Sequence, residues 1–385
     1  MKKILLNFST TLVGLLFIFS GVIKANDPLG FGYKLQEYFE VFHITFLHDL
    51  APVIAIVLCT IEIVLGALLF LGFWSRKVSA GLLAMIIFFT FLTFYSAFFK
   101  VVTSCGCFGD AIPLTPWQSF SKDLILLVLI LFIYFNRDTI RPTIKSESAR
   151  KVIAAIIVII ALGFGLYTYN FLPVLDFLPY KVGSNIPQNM KVPAGAEPDV
   201  YEITYQMKNK KTGETKKVND QEYLKSEIWK DKNWEIIGEP ENKLIKKGYD
   251  LPIKDLKVTD SQGTDYNAEI FENPYYNLVF VAYDLTKSNL PAIGKLNAIA
   301  MNAAENYNIR SVLLTSASAA DAEQFAKENK LIMEVFYADG IPLKSMVRAN
   351  PGILLLKNGK VINKWHYNNV PTYQELASKY FDKNQ

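Results

Sequence analysis

Sulfur and imidazole are scarce in this chain: its 385 residues include three cysteines and three histidines. Three cysteines cannot build a disulfide framework. None lies beyond residue 107, so the second half rests on neither a disulfide nor a thiolate metal site. A P-loop, a dinucleotide fingerprint and a hydrolase triad are all missing, which removes the commonest enzyme classes. Charge of one sign is also lacking. Residues 1–172 carry 13 Lys/Arg against 9 Asp/Glu, and residues 173–385 carry 27 against 27. The second half is neutral overall and offers no concentrated basic patch, which excludes nucleic acid as a partner.

Long apolar runs fill the first half instead. A bilayer span takes about 20 residues, and five segments reach that range: Ile4–Ile23, Leu50–Gly72, Val78–Phe99, Phe120–Phe135 and Val152–Leu172. The first also has the outline of a signal peptide, with MKK, an apolar run and Ala25. Ile23 and Lys24 make a poor cleavage approach, however, and the run is as long as a full span. Orientation follows from basic residues in short loops. With the N-terminus inside, nine (Lys2, Lys3, Arg76, Lys77, Arg137, Arg141, Lys145, Arg150 and Lys151) lie on the inner side. Four (Lys24, Lys34, Lys100 and Lys122) lie outside. The bias predicts an integral protein of the cytoplasmic membrane, N-terminus in. Five spans then place the C-terminal domain outside, in the periplasm where a second membrane exists. That compartment permits disulfides.

Beyond the spans, residues 173–270 read as a linker followed by a small strand-rich segment. VYEITYQMKN and the following basic stretch form a hairpin with Gly213 at the turn, and Lys208–Lys217 reads as a solvated tip. Residues 271–385 alternate strand and helix. NLVFVAY and RSVLLT read as strands, MEVFYAD follows the second helix, and GILLLKNGKVINKW reads as two strands joined by Asn358-Gly359, a tight hairpin turn. Helices fall at Pro291–Tyr307, Ala319–Asn329 and Tyr373–Phe381. The order β-α-β-α-β-β-α implies an open sheet flanked by helices.

Two places carry chemistry. VTSCGCFGDAI, residues 101–111, puts Cys105 and Cys107 on the outer side with one glycine between them. A redox pair, a soft-metal site and a tight structural turn all fit. A disulfide across one intervening residue makes a very small ring, reachable only with the bent backbone that glycine permits. A strained ring is readily reduced and suits a disulfide donor. Two thiolates also suit Cu(I), or half of a zinc site completed by His43 and His48. Asp110 either raises the thiol pKa by repulsion or holds the turn. The second place is Glu62, an ionisable residue inside the second span and on one helix face with Cys59. It is a candidate for proton relay or for holding a polar headgroup, such as that of a quinone, against the alternative of a bond to a neighbouring Ser or Thr. Cys59 reads as a small packing residue. Lys24 either pairs with Asp27 or Asp110, or snorkels to the headgroups. Trp117 and the Phe-rich end of the third span fit an interfacial aromatic belt.

Residues 1–140 resemble a known membrane family. FSGVIKANDP and IEIVLGALLFLG look like the DoxX family, and CGCFGD followed by Pro113, Pro116 and Trp117 resembles the related MauE group. That resemblance implies a four-helix core, here extended by a fifth span over 141–172. It also implies thiol chemistry, since the MauE group is associated with maturing the disulfide-rich methylamine dehydrogenase. DoxX relatives include a subunit of a thiosulfate:quinone oxidoreductase, which makes a quinone the candidate cofactor. The last 110 residues, with Asn350-Pro351 before the hairpin, resemble the thioredoxin fold, in which such a proline is usually cis beside a C-x-x-C. Here the matching turn, Tyr283 to Ser288, contains no cysteine. This domain therefore cannot carry out thiol–disulfide exchange itself. Asn350 and Pro351 are expected to line a peptide-binding groove, or else simply to set a turn.

Together these readings predict a transmembrane helical bundle fused to a thioredoxin-like α/β domain. Its expected function is disulfide exchange through Cys105 and Cys107, assisted by Glu62, for an extracytoplasmic client or redox partner. A non-enzymatic membrane scaffold and a metal-handling membrane protein are the alternatives.

Overall fold

The computed structural model describes residues 2–102, 106, 108–197 and 199–382; Cys105 and Cys107 lie outside the described residues. Among the described residues, six α-helices make up the first half: α1 (Lys2–Asn26), α2 (Pro28–Val41), α3 (Ala51–Phe70), α4 (Ser75–Phe99), α5 (Pro116–Phe135) and α6 (Glu147–Asn170). All but α2 are long and apolar enough to cross a membrane, α3 together with the 3₁₀ turn Thr45–Leu50 that leads into it. The five expected spans are present, with ends shifted by a few residues. Leu6, Val13, Phe17, Leu69, Leu82, Ile86, Ile130 and Ile133 form the bundle core, while Ile125, Val128, Ile159 and Ile160 face outward, as lipid contact requires.

Small residues bring α1 and α3 together. A Cβ at Gly14 would lie 2.9 Å from the Gly66 carbonyl oxygen, and one at Gly66 would lie 2.8 Å from that of Gly14. Only glycine allows backbones so near, and in a membrane such close packing is a main source of helix association. Cys59 is fully buried in this seam, with its carbonyl 3.1 Å from where a Gly21 Cβ would stand. It packs as expected.

No apolar run announced α2. Asp27 caps it and Pro28 opens it, the positions where an acceptor side chain and a residue without N–H fit best. It buries Phe31, Leu35, Tyr38 and Phe39, one stripe at helical spacing. Its interspersed polar residues kept it out of any apolar run.

Ser184–Leu256 form a compact unit of their own, and the remainder of the described chain forms another. The small unit holds α7 (Ile186–Asn189), β1 (Val200–Asn209), β2 (Thr215–Asn219), α8 (Asp220–Lys225), β3 (Trp234–Ile236) and β4 (Glu241–Lys246). β1 pairs antiparallel with β2, β3 and β4. Gly213 turns the β1–β2 hairpin at φ +74°.

The C-terminal α/β domain follows with α9 (Asn267–Phe271), β5 (Tyr276–Val281), α10 (Leu290–Tyr307), β6 (Arg310–Thr315), α11 (Ala319–Glu328), β7 (Glu334–Tyr337), α12 (Gly340–Met346), β8 (Gly352–Lys357), β9 (Lys360–His366) and α13 (Tyr373–Leu376). The sheet order is β7-β6-β5-β8-β9. β5, β6 and β7 run parallel, and β8 and β9 antiparallel to their neighbours. Leu278, Phe280, Leu313, Ile353 and Leu355 pack with Ile293, Leu296, Ala300 and Ala303 of α10 to form the core. Asn358 and Gly359 both have positive φ, as the two-residue hairpin requires. Asn350-Pro351 is cis.

This domain rests on the bundle. The Asn368 amide donates to the Asn170 carbonyl at the end of α6 at 2.7 Å. The Asn26 side chain, at the end of α1, bonds both the carbonyl and the N–H of Leu175 at 2.7 and 2.9 Å. Lys364, nearly sealed from water, pairs with Asp176. His366 lies tilted against Phe171, ring centroids 6.5 Å apart, and accepts the Asn368 N–H on Nδ1 at 3.1 Å.

Burial lowers the His366 pKa from its ordinary 6.5 to about 4. The folded state thus holds the imidazole neutral, while the unfolded chain protonates near 6.5. Its contribution to stability is fully present above that value and is lost as pH falls toward 4. Thermal unfolding of the full chain in detergent, followed between pH 7 and 4, should show a steeper loss for the wild type than for His366→Asn, which keeps an acceptor but cannot protonate.

Candidate functional site

Among the described residues, four charged side chains within the bundle form two pairs. The Lys24 ammonium meets the Glu62 carboxylate at 2.5 Å, both nearly sealed from water, with Lys24 over the rings of Phe89 and Phe31. The expectation that Lys24 pairs with Asp27 or Asp110, or snorkels outward, is overturned. So is the alternative that Glu62 bonds a serine or threonine as its main partner. The glycine seam sets α1 and α3 so close that Lys24 lands on Glu62, and Asp27 is engaged elsewhere. The second pair is Lys122–Asp123 at 2.5 Å; Asp123 also accepts from Thr93 at 3.0 Å. An acid inside an apolar helix signals Asp123 in the sequence, and Lys122 beside it disguised that signal as a loop edge. Both pairs line one cavity of about 220 Å³ with Leu16, Phe17, Phe89, Leu126 and Phe108.

Phe108 follows Cys107 directly in the sequence. Its ring lies 5.7 Å from that of Phe19 on α1, and Lys122 sits over it at 5.3 Å. Gly106, between the two cysteines, has φ +63° and packs beside Lys34 and Phe31 of α2. The Gly109 N–H donates to the Gly106 carbonyl at 3.0 Å.

Asp110 ends the turn in an ion cluster. Arg348, on the α/β domain just after α12, donates from Nε to Asp27 at 2.7 Å and from Nη2 to Asp110 at 3.2 Å. Its Nη1 donates to the Lys344 carbonyl at 2.5 Å. The Arg348 side chain is 6% exposed, whereas that of Asp110 is 53% exposed at the rim. Crowding by surrounding protein raises the Asp110 carboxyl pKa, and the guanidinium opposes that rise. Asp27 has two tasks, since its other oxygen accepts the Gly30 N–H at 2.9 Å. Gly30 leaves the room: a Cβ there would stand 2.8 Å from the Arg348 guanidinium.

Alongside, the Tyr33 and Tyr283 hydroxyls bond each other at 2.9 Å, and Lys344 lies over both rings. Tyr283 opens the cysteine-free turn, and Lys287 within that turn meets Asp49 at 2.6 Å. Asn350 bonds the Asp284 backbone in both directions, at 2.7 and 3.3 Å, and Pro351 is buried. Both residues brace the turn. A cavity of about 410 Å³ lies at this join, lined by Gly106, Gly109 and Asp110 of the loop, Asp27, Tyr33 and Lys34 of the membrane half, and Lys344 and Arg348 of the α/β domain. Among the described residues, no group of three or more His, Cys, Asp or Glu is placed to hold a metal ion. Arg348, Tyr33 and Tyr283 were not legible as a site, because their partners lie hundreds of residues away.

Five helices long and apolar enough to cross a membrane, with an α/β domain seated on one end, define an integral membrane protein. Its membrane half is MauE-like: residues 2–136 match the family described as methylamine utilisation protein MauE. Protein TlpB of Flavobacterium psychrophilum is 30% identical over 129 residues, a match covering 32% of this chain and 35% of that protein. The chain thus spans about a third of the length of that curated relative. No solved structure matches.

The Lys24–Glu62 pair makes a direct prediction. Removing one partner leaves an uncompensated buried charge, which typically costs about 3–5 kcal/mol, whereas removing both together is far milder. Lys24→Met should therefore lower the unfolding midpoint sharply, and Lys24→Met with Glu62→Gln should recover most of the loss. Thermal unfolding of the purified protein in detergent measures both.

Proposed function

We propose that the protein is a membrane component of thiol–disulfide chemistry on the outer side of the cytoplasmic membrane, with Cys105 and Cys107 as the exchanging pair. The observation that carries this reading is the anchoring of their turn. Gly106 packs on α2, Phe108 on α1, and Asp110 on Arg348, so the turn borders a cavity at the join of the two domains. The MauE match over residues 2–136 supports the same chemistry, and the basic-residue bias supports the orientation.

In the proposed reaction a client thiolate attacks the Cys105–Cys107 disulfide, giving a mixed disulfide. A second client thiolate displaces it. The client gains a disulfide, and the loop leaves with two thiols. Restoring the loop disulfide removes two electrons and two protons, for which a membrane quinone is the candidate acceptor. The 220 Å³ cavity fits a single ring: it is larger than the 150 Å³ cavity that binds benzene, and it offers both apolar walls and charged groups. Lys24 and Lys122 would hold carbonyl oxygens there, and Glu62 and Asp123 would hold protons. Bound there, a quinone would supply two-electron oxidation from within the bilayer. The role proposed for Glu62 is thus shared with Lys24.

Acid-quenched membranes, alkylated with one mass tag, reduced, and alkylated with a second, report the state of the loop peptide. A disulfide, or a mixture that shifts with added oxidant, is expected. Two thiols that stay reduced in an oxidising compartment would remove the disulfide-donor reading. Serine at both positions should abolish client oxidation while the protein accumulates normally. Activity retained by that variant would favour the scaffold reading instead.

A further inference from the structure

The α/β domain lacks cysteine, yet the face that would serve a thioredoxin-like module in client binding is turned onto the bundle. The Tyr283 turn contacts Tyr33 of α2 and Asp49. Arg348, two residues before the Asn350-Pro351 bond, reaches across to Asp27 and Asp110. The occupant of that face is the chain's own membrane half.

We propose that this domain is a built-in clamp on the cysteine turn, and that Arg348 is its positioning residue. The proposal rests on the exchange reading above and assigns the domain a task within it. Three features carry it. The guanidinium is almost wholly buried and bonds two carboxylates and a carbonyl, a fork that lysine cannot reproduce. One carboxylate, Asp27, caps α2 where it leaves α1, so Arg348 is fixed to the end of the bundle. The other, Asp110, stands three residues after Cys107, a tether that spans at most about 11 Å. Fixing Asp110 therefore holds Gly109 and Asp110 at the cavity at the join and limits, through the covalent tether, how far Cys107 can stand from it.

Asp110→Asn separates this role from a merely structural one, because it cuts the arm to the loop and leaves the Arg348–Asp27 arm that seats the domain. The test uses full-length protein in membranes, reduced beforehand, with maleimide alkylation of the loop thiols followed in time. Asp110→Asn should speed alkylation by about tenfold or more, the scale of one lost charge-assisted hydrogen bond, with an unchanged unfolding midpoint. Asp110→Glu should return the rate toward wild type, since a carboxylate again meets the guanidinium. Arg348→Lys, which keeps the charge but not the fork, should speed alkylation too. Combined with Asp110→Asn it should add little, as two members of one contact do. A wild-type rate in Asp110→Asn, or fully additive effects of the two changes, would overturn the proposal. Alkylation rates can be read whether or not the pair exchanges disulfides with a client, so failure here and failure of the exchange reading are separate results.

Discussion

A guanidinium sealed from water must find its counter-charges where it lies. Arg348 finds them in a different part of the chain: Asp27 at the end of the first span and Asp110 in the cysteine turn. Taking Arg348 or Asp27 away leaves a buried charge short of its partner, which is expensive in a low-dielectric join, whereas Asp110 sits half-exposed at the rim. This contact ties the α/β domain to the bundle and the cysteine turn to both. The Tyr33–Tyr283 and Lys287–Asp49 contacts surround it.

The stretch FSGVIKANDPLG shows how one segment serves several ends. Gly21 admits α3, Lys24 neutralises Glu62, and Asn26 bonds the backbone of the chain as it leaves α6. Asp27 caps α2 and holds Arg348, and Gly30 leaves space for the guanidinium. A motif that reads as a family signature is thus the place where the membrane core, the surface helix and the outer domain are joined. The adjoining turn is held by Phe19, Lys34 and Arg348, one contact from each of those parts.

Local and periodic signals were legible in the sequence. The five spans follow from apolar length, the β8–β9 hairpin from Asn358-Gly359, and part of the strand–helix order from alternating patterns, with β7 and α12 unassigned. The packing of Cys59 followed from its chemistry. Pairings were not legible, because they depend on which helices touch. Lys24 has acidic residues nearer in sequence than Glu62, and only the glycine seam between α1 and α3 decides among them. Arg348 stands 321 residues from Asp27, beyond any local pattern. α2 escaped because a short half-buried helix has neither the apolar length of a span nor the alternation of a strand.

The clamp on the cysteine turn depends on the seating of the α/β domain against the end of the bundle. Asp49 and Lys287 meet at 2.6 Å across that join, and both are exposed, so a zero-length carbodiimide can link them in the unmodified protein in native membranes. Mass spectrometry should find the Asp49–Lys287 linked peptide as a prominent intramolecular product. Its absence, with both residues shown to be reachable by separate labelling, would contradict the seating and the clamp built on it.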